Sequence, residues 1–410
     1  MTEAWIIDTA RTPRGIGKVG KGALSEVHPQ RLLSTVLKAL GERNNLNTDD
    51  VDDVIAGCGS QVGKQGACIA RMAALDAGWS NLATGFSIDR FCGSALTAVQ
   101  LGAMGIMSGM QHLVVSGGVE SMSYASTQRG GLPTMDRDNL HLRALHPQPH
   151  QGVCADLIAT LEGITREDTE KLAVESQRRA DIAIKGGYFN RSVVPVHHDD
   201  ATVALDREEF PRPQTTLEGL AQLKPAFTDL YQYPLNEEGL TYRKLVEMAY
   251  PDVKIEHIHH AGNSSGVVDG ASGVILASPE YAKAHGLKPR ARIVTMATSG
   301  DSPELMLNAP GPAARKALKQ AGMTVNDIDL MEVNEAFAVV PLKFMRDLNV
   351  DPEKVNVNGG AMALGHPIGA TGAMLVGTVL DELERRDLTT GLVTMCTGGG
   401  MAPCTIIERI

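Results

Sequence analysis

The stretch FSIDRFCGSALTAVQLGAMGIMSG at residues 86–109, followed by HLVVSGG at residues 112–118, decides the fold. A short β-prone segment gives way to a helix of small residues, and an apolar strand comes next. A second stretch with the same order runs from Val355 to Leu383 and continues at residues 391–400 as GLVTMCTGGG. The chain is therefore predicted to contain two similar halves, each with this unit.

The segments that precede these two units also repeat. In the first half, a strand, a helix and a turn into a strand are predicted at residues 3–11, 28–42 and 49–57. In the second half, the same three elements are predicted at residues 291–297, 312–322 and 326–334. Alternating strands and helices predict an α/β protein with βαβ units and mostly parallel sheets, in two halves that can pack about a pseudo-dyad.

The segment between the two halves has no counterpart within the chain. It runs from about residue 119 to residue 270 and is rich in proline, histidine and charged residues. One helix is clearly predicted in it, at residues 166–185, with Thr165 as N-cap and Gly186 at its end. We therefore expect three units: an N-terminal half at 1–118 that residues 271–288 complete, an inserted loop domain at 119–270, and a C-terminal half at 289–410.

Composition excludes several classes of protein. With 410 residues and 43% hydrophobic content, the chain can bury a large core. Its formal net charge of −10 argues against broad nucleic-acid binding, which requires a basic face. No signal-peptide features are found at the N-terminus, and no apolar run approaches the ~20 residues of a membrane span. The six cysteines form no CxxC pair, so reduced thiols and a cytoplasmic location are predicted.

Cys92 lies where the predicted strand meets the predicted helix. The N-terminus of a helix stabilises a thiolate, and the following Gly93 and Ser94 leave room for a ligand. Cys92 is therefore predicted to be a nucleophile with a lowered pKa. Four other cysteines are interpreted as small buried hydrophobic residues: Cys58, Cys68, Cys154 and Cys404. Cys396, which precedes the glycine turn at 397–400, is not among them.

A glycine-rich run at residues 359–372 surrounds His366. Glycine at this density is typical of a buried crossover between a strand and a helix. A histidine within the run, at the repeat position that faces Cys92, indicates instead a base and oxyanion donor for a thiolate. The run lacks the Lys-Ser/Thr ending of a phosphate-binding P-loop.

Two further motifs place polar groups at predicted strand ends. Cys396 precedes Thr-Gly-Gly-Gly at residues 397–400, whose backbone N–H groups can form an oxyanion hole. A structural thiol in a glycine turn is the alternative interpretation. Asn334 opens the run Asn-Glu-Ala-Phe-Ala at residues 334–338, where it can orient a water molecule or serve as a helix N-cap.

The histidine clusters at residues 197–198 and 257–260 contain candidate metal ligands. Zinc requires a matched set of ligands, and the sequence offers no partners for these clusters. They are interpreted as surface or loop histidines, and no metal site is predicted.

Together these motifs resemble the thiolase family, over essentially the whole chain. The resemblance rests on Cys92 before Gly-Ser, the run 334–338, the run 359–372 around His366, and Cys396 before Thr-Gly-Gly-Gly. The loop region adds Arg212 ahead of Thr-Thr-Leu-Glu-Gly-Leu-Ala, and the runs 223–227 and 261–266. The resemblance implies a thiolase fold: two pseudo-repeated βαβαβ halves in a five-layered α/β/α/β/α core, with an inserted loop domain that covers the active site.

The resemblance also implies the chemistry and the site residues. Cys92, deprotonated by His366, would attack the 3-keto carbon of a 3-ketoacyl-CoA, and Cys396 would protonate the acetyl-CoA enolate. Asn334 would hold a water molecule for the enolate oxygen, and the N–H groups of Cys92 and Gly398 would bind the thioester oxygen. Coenzyme A would be a cosubstrate, with no permanently bound cofactor. For its contacts, the implied residues are Arg212 at the adenine, and Ser265, Ala261 and His150 along the pantetheine.

Two departures from the family pattern concern the loop domain. The usual His-Met-Gly becomes His-Gln-Gly at residues 150–152, which puts an apolar contact near the substrate sulfur in doubt. The stretch at 228–259 is longer than in compact biosynthetic thiolases and carries four of the seven tyrosines. We interpret it as an added wall of the pocket or an interface.

The predicted function is CoA-dependent cleavage of 3-ketoacyl-CoA, as in β-oxidation and fatty acid metabolism, or the reverse Claisen condensation. The alternatives are an acetoacetyl-CoA-forming biosynthetic thiolase, a ketosynthase, and a non-catalytic acyl-CoA or sterol carrier of the same fold. Ketosynthases usually pair their cysteine with two histidines. This chain instead offers one histidine, His366, and a second cysteine, Cys396, which argues against that alternative. A homodimer or homotetramer is expected, as is a place in a β-oxidation complex.

Overall fold

The computed structural model describes residues 3–128 and 134–410 of the chain. The elements of the first half are β1 (Trp5–Arg11), β2 (Gly15–Ile16), α1 (Pro29–Arg43), β3 (Asp53–Gly57), α2 (Ile69–Asp76), β4 (Gly85–Ile88), α3 (Ser94–Met107) and β5 (Leu113–Ser121). The segment that follows contains α4 (Met122–Gln128), α5 (Leu140–Leu145), α6 (Gln151–Glu162), α7 (Arg166–Lys185), β6 (Val196–His197), β7 (Val203–Leu205), α8 (Leu217–Ala221), α9 (Thr228–Gln232) and α10 (Tyr242–Ala249).

The remainder of the chain begins with β8 (Val268–Ala277) and α11 (Pro279–Ala284). The second half then contains β9 (Ala291–Gly300), α12 (Pro310–Ala321), β10 (Leu330–Val333), α13 (Val339–Leu348), α14 (Ala361–Leu364), α15 (Thr371–Arg386), β11 (Thr390–Thr394) and β12 (Met401–Arg409). In the described part of the chain, residues 3–128 and 134–410, no helix is both long and apolar enough to cross a membrane.

The main sheet shows the predicted repeat in its strand order, which is β10-β11-β12-β9-β1-β8-β5-β3-β4. In the first half, β4, β3 and β5 are parallel, and β8 and β1 add antiparallel pairs. The second half repeats this pattern: Val355 bridges β10 in parallel, β10 pairs with β11 in parallel, and β12 and β9 add antiparallel pairs.

The expectation of mostly parallel sheets is wrong, because the length of the connection between two strands decides their relative direction. Only the turn at residues 395–400 joins β11 to β12, and a parallel return needs a crossover of a dozen or more residues. The two strands therefore form an antiparallel pair. In the first half, β8 occupies the equivalent place and pairs antiparallel with β5 from Leu113 to Ser121.

Five layers follow from the packing of the helices. Helices α3 and α15 lie between the two halves of the sheet, where Leu96, Val99, Val376 and Val379 are buried in one cluster. Helices α1 and α2 cover the outer face of the first half, and α12 and α13 cover the second. A Cβ atom at Gly372 would lie 2.3 Å from the backbone nitrogen of Leu96, so glycine is what lets α15 approach α3 so closely.

Helix α7 begins and ends as its sequence predicts. The Thr165 hydroxyl accepts a hydrogen bond from the N–H of Asp168, whose carboxylate accepts one in return from the N–H of Thr165. This capping box satisfies two of the N–H groups that the first turn leaves unpaired. Helix α7 packs on α14, immediately before His366, so it supports the glycine-rich run from behind.

Candidate active site

A strained turn between β4 and α3 carries Cys92. Phe91 has a φ of +46°, a left-handed conformation that costs a bulky residue about 1–3 kcal/mol. Two hydrogen bonds hold it: the Phe91 N–H donates to Asp89 at 2.7 Å, and the Ser94 hydroxyl donates to the Phe91 carbonyl at 2.6 Å. Cys92 precedes Gly93, the N-cap of α3, and is partly exposed.

The residues on either side of Cys92 contact the turn after Cys396. A Cβ atom at Gly398 would lie 3.0 Å from the ring of Phe91, and one at Gly93 would lie 2.7 Å from the Thr397 hydroxyl. Cys396 itself is 1% exposed. The strand ends of the two halves therefore bring the two cysteines to one place, as the sequence predicts.

His366 lies in the loop between α14 and α15, and its ring orientation is set by Thr371. The Thr371 hydroxyl donates its one proton to the carbonyl of Pro367 at 2.9 Å, so its oxygen accepts from Nδ1–H of His366 at 2.5 Å. Nε2 then carries the lone pair. Among the described residues, this buried atom has no hydrogen-bond partner, so it is free to accept a proton from a reacting group.

Several contacts fix the His366 loop against the first half of the sheet. The His366 N–H donates to the carbonyl of Gly266 at 2.9 Å, and the Ser272 hydroxyl donates to the carbonyl of Ala370 at 2.6 Å. A Cβ atom at Gly118 on β5 would lie 2.0 Å from the carbonyl oxygen of Gly369, so the loop rests directly on that strand. The interpretation of residues 359–372 as a tight crossover is thus also correct.

Asn334 immediately follows β10 and lies beside the end of β11. Its N–H donates to the carbonyl of Thr394 at 3.1 Å, two residues before Cys396. Within the part of the chain that the structure describes, both polar atoms of its buried side chain lack a partner. A buried amide normally pairs its polar atoms, so this one indicates a place for a polar ligand or water. Helix α13 begins only at Val339, so Asn334 is not its N-cap.

The neighbouring Glu335 is the second polar residue of the run at 334–338. Its buried carboxylate accepts hydrogen bonds from the Ser176 hydroxyl at 2.7 Å, the N–H of Met362 at 3.1 Å and the Asn356 amide at 3.1 Å. It thereby joins the Asn334 segment to α7 and α14. The contact between Thr371 and His366 could not be predicted from the sequence, because a threonine at the first position of a helix has no local signature of contact with a histidine.

Electrostatics at the site correct one expectation. Burial raises the pKa of the Cys92 thiol to about 12, and the charge of Glu120 contributes to this rise, so the predicted lowered pKa is wrong. Burial, with Arg14 nearby, lowers the pKa of His366 to about 3. At neutral pH the pair is a thiol and a neutral imidazole. Burial and the nearby Cys92 raise the pKa of Cys396 as well.

The remaining cysteines divide by exposure. Cys58, Cys154 and Cys404 are buried, as expected, and burial raises the pKa of each thiol. Cys68 is exposed, so its interpretation as a buried residue is wrong. It precedes α2 with a φ of +54°, and its thiol donates to the carbonyl of Gly85 at 3.2 Å.

His150 lies among aromatic residues of the inserted segment. It is the N-cap of α6, and its ring centroid is 5.7 Å from those of Phe227 and Tyr242. Phe227 in turn contacts Phe337, with centroids 5.9 Å apart. A Cβ atom at Gly152 would lie 2.2 Å from the Phe227 ring, so only glycine fits there. Gln151, the departure from the family motif, is exposed at the first turn of α6.

The other residues expected at coenzyme A lie in the segments around Phe210 and Gly266. Arg212 is exposed, and its guanidinium lies 5.9 Å from the ring of Phe210. Phe210 in turn packs on Gly266, beside Ser265. The Ser265 N–H donates to the carbonyl of Ala336 at 2.9 Å, which ties this segment to the Asn334 run, and Ala261 is exposed.

The histidines at 257–260 are not all surface groups. His259 and His260 are buried, and their rings contact carboxylates: Nδ1 of His259 lies 2.8 Å from Asp156, and Nε2 of His260 lies 3.0 Å from Glu170. These two are loop histidines, as interpreted, but they do not lie at the surface. In residues 3–128 and 134–410, no group of three or more His, Cys, Asp or Glu residues is arranged to hold a metal ion.

Comparisons with known proteins identify the family. The family described as "Thiolase, N-terminal domain" matches residues 4–230, and "Thiolase, C-terminal domain" matches residues 287–409. The chain belongs to the thiolase family. Its curated relatives include a steroid 3-ketoacyl-CoA thiolase of Mycobacterium tuberculosis, 40% identical over 100% of this chain and 95% of the relative. An acetyl-CoA acetyltransferase of Escherichia coli is 39% identical over 100% of both chains.

The solved structures include a thiolase of the same architecture. A crystal structure of the Bacillus anthracis acetyl-CoA acetyltransferase has a TM-score of 0.82 and 35% identity, and covers 100% of this chain and 99% of that one. The thiolase fold and the family resemblance predicted from the sequence are therefore confirmed. The protein is an acyltransferase that cleaves 3-ketoacyl-CoA with coenzyme A as cosubstrate, or condenses acyl-CoA molecules in reverse. A ketosynthase or a non-catalytic carrier is not favoured.

Proposed function

We propose that Cys92, His366 and Cys396 carry out the thiolase reaction in two half-reactions. The supporting observation is that the turn of Cys92 packs on Thr397 and Gly398 while Nε2 of His366 has no partner among the described residues. In the first half-reaction, Cys92 attacks C3 of the 3-ketoacyl-CoA as Nε2 takes its proton. The C2–C3 bond breaks, an acyl group remains on Cys92, and Cys396 protonates the acetyl-CoA enolate.

The second half-reaction returns each proton. The Cys396 thiolate takes the proton of an incoming coenzyme A thiol, and that sulfur attacks the acyl group on Cys92. The released Cys92 sulfur recovers its proton from His366. Because Cys92 and His366 are both neutral at pH 7, the proton moves as the S–C bond forms, which is general-base catalysis.

Two oxyanion sites stabilise the charges that develop. Once Nε2 of His366 is protonated it becomes a donor, and with a water molecule on Asn334 it binds the enolate oxygen. The N–H groups of Cys92 and Gly398 bind the thioester oxygen. The loop domain at 119–270 covers coenzyme A, with Arg212 at the adenine and with Ser265, Ala261 and His150 along the pantetheine.

We further propose a cytoplasmic homodimer or homotetramer. Strand β4 lies at the edge of the main sheet, and Phe86 within it and Leu82 shortly before it are exposed. An exposed edge strand with apolar side chains favours pairing with a second copy. Light scattering of the purified protein tests this, and a monomer at micromolar concentration would contradict it.

Alkylation tests the assignment of Cys92. Iodoacetamide is expected to modify Cys92 and the exposed Cys68, but only modification of Cys92 should abolish thiolysis. Acetyl-CoA should protect Cys92 by acylating it, and should leave Cys68 unprotected. Peptide mapping with and without acetyl-CoA measures both, and the Cys68→Ser variant is the control. Inactivation without modification of Cys92 would move the nucleophile elsewhere.

The stretch at 228–259 is proposed to set the preference for acyl-chain length and bulk. Its helix α10 places Tyr242, 1% exposed, against His150 and in one cluster with Val153 and Leu157 of α6. Tyr231 of α9 contacts His257, which lies 2.7 Å from Asp156 of α6. The stretch therefore forms the outer wall of the aromatic group around His150.

Replacing Tyr242 with leucine tests this proposal. We expect kcat/KM for long or bulky 3-ketoacyl-CoA substrates to change by ~10–200-fold, while acetoacetyl-CoA thiolysis stays within a few-fold. Tyr242→Phe keeps the ring and is the matched control, with an unchanged preference. If the Leu variant keeps its preference while its oligomer dissociates, the stretch is an interface element instead.

A further inference from the structure

Glu120 joins two segments of the active-site region through one carboxylate. It lies near the end of β5 and is 0% exposed. Its Oε2 accepts hydrogen bonds from the N–H of Gly59 at 2.7 Å and of Gly369 at 2.9 Å, and its Oε1 accepts one from the Gln65 amide at 3.0 Å. Gly59 and Gln65 follow β3, and Gly369 is three residues beyond His366.

The space around this carboxylate has no room for adjustment. A Cβ atom would lie 3.1 Å from Oε2 at Gly59 and 2.8 Å from it at Gly369. At Gly369 it would also lie 2.7 Å from the Cα atom of Cys58. A shorter side chain at position 120 would therefore leave buried N–H groups unpaired, and the His366 loop would lose one of its ties to the first half.

The carboxylate also carries charge close to the nucleophile. Burial raises the pKa of Glu120 above the usual carboxyl value, and the hydrogen bonds from Gly59, Gln65 and Gly369 oppose that rise because they favour the ionised form. The titratable groups around Cys92 are His366, its proposed base, and Glu120, Asp89 and Cys396; burial raises the pKa of Cys92 most, and the charges of Glu120 and Asp89 add to that rise. The Glu120 charge raises the pKa of Cys58 as well, whereas Arg14 is the charge that acts on His366.

We propose that Glu120 is a positioning residue for the thiolase reaction: its carboxylate ties the His366 loop to the segment after β3 and places a negative charge where it acts on Cys92. The proposal rests on the proposed role of Cys92 as nucleophile. The length and the charge of the Glu120 side chain can be changed one at a time by two substitutions.

Glu120→Gln keeps the length of the side chain and removes its charge, whereas Glu120→Asp keeps the charge and shortens the side chain. For the Gln variant we expect Cys92 alkylation at pH 8 to be about tenfold faster than in the wild type, because loss of one nearby charge shifts a pKa by about one unit. For the Asp variant we expect alkylation within threefold of the wild type, and kcat lower by about 10–100-fold with KM within threefold.

Asp269→Asn is the matched control, because Asp269 is also a buried carboxylate but binds Ser123 rather than the active-site loops. It should leave alkylation and kcat unchanged. Peptide mapping must place the alkylation at Cys92; if it does not, the nucleophile assignment fails. If the label is at Cys92 but the Gln variant reacts no faster, or the Asp variant keeps full kcat, the role of Glu120 is overturned.

A third variant keeps the proposal testable if either of these fails to fold. Gln65→Leu leaves the carboxylate in place and removes one of its donors, so Glu120 becomes easier to protonate. We expect Cys92 alkylation near pH 6 to be faster than in the wild type, by less than in the Gln variant. An alkylation rate equal to that of the wild type at every pH from 6 to 9 would overturn the role of the charge.

Discussion

Replacing Cys92 with serine is expected to lower kcat for thiolysis by about 10⁵-fold or more, the scale seen when a catalytic nucleophile is removed. A hydroxyl is a far weaker nucleophile than a thiol. His366 cannot compensate, since burial lowers the pKa of its imidazole to about 3 and makes it a weak base. Steady-state thiolysis of acetoacetyl-CoA measures the loss, and intact-mass analysis after mixing with acetyl-CoA should show no acetylated protein.

Serine differs from cysteine by one atom, so the fold should not change. The strained turn is held by Asp89 and Ser94 through the backbone of Phe91, and the Cys92 sulfur takes no part in those bonds. We therefore expect a Tm close to that of the wild type. Cys68→Ser is the control for loss of an accessible thiol and should keep full activity. A Cys92→Ser variant within tenfold of wild-type activity would contradict the assignment.

Replacing Cys396 with alanine is expected to separate the two half-reactions. Formation of the acyl-enzyme needs Cys92 and His366, whereas the enolate of acetyl-CoA needs a proton donor. The variant should still accept an acetyl group from acetyl-CoA on Cys92. It should fail to exchange the methyl protons of acetyl-CoA with deuterated water, and overall thiolysis should fall by ~10²–10⁴-fold, the usual contribution of one positioned acid–base group.

Cys404→Ala is the matched control for this experiment. Cys404 is a buried cysteine on the neighbouring strand β12, paired in register with Thr394, but it lies outside the turn that carries Cys396. Its loss should leave deuterium exchange unchanged. Undiminished exchange in Cys396→Ala would transfer the proton-transfer role to another group, and loss of acetylation in that variant would show damage to the Cys92 site itself.

Local signals made much of this fold predictable from sequence. The boundaries of α7 follow from Thr165 and Asp168, which can form a capping box wherever the helix packs. Helix α1 begins at Pro29 with His28 as N-cap, within one residue of its predicted start. The doubled order of strands and helices reappears in the two halves of the sheet, because hydrophobic periodicity reports which face of each element is buried.

Strand direction could not be predicted in this way. Periodicity is the same for a buried parallel strand and a buried antiparallel one, and the direction depends on the connection between strands. The short turn before β12 requires an antiparallel pair. The exposure of Cys68 and the burial of His259 also depend on packing between elements that are distant in sequence.

The sequence by itself determined the family, the repeat and the chemical groups at the site, since Cys92, His366, Asn334 and Cys396 each stand in a motif that can be recognised locally. Only the tertiary structure decided their protonation. The helix N-terminus beside Cys92 favours a thiolate, but burial and the charge of Glu120, which comes from β5, outweigh it. The lone pair on Nε2 of His366 depends likewise on Thr371 and Pro367. A pKa and a tautomer depend on every group near the site, and folding alone brings those groups together.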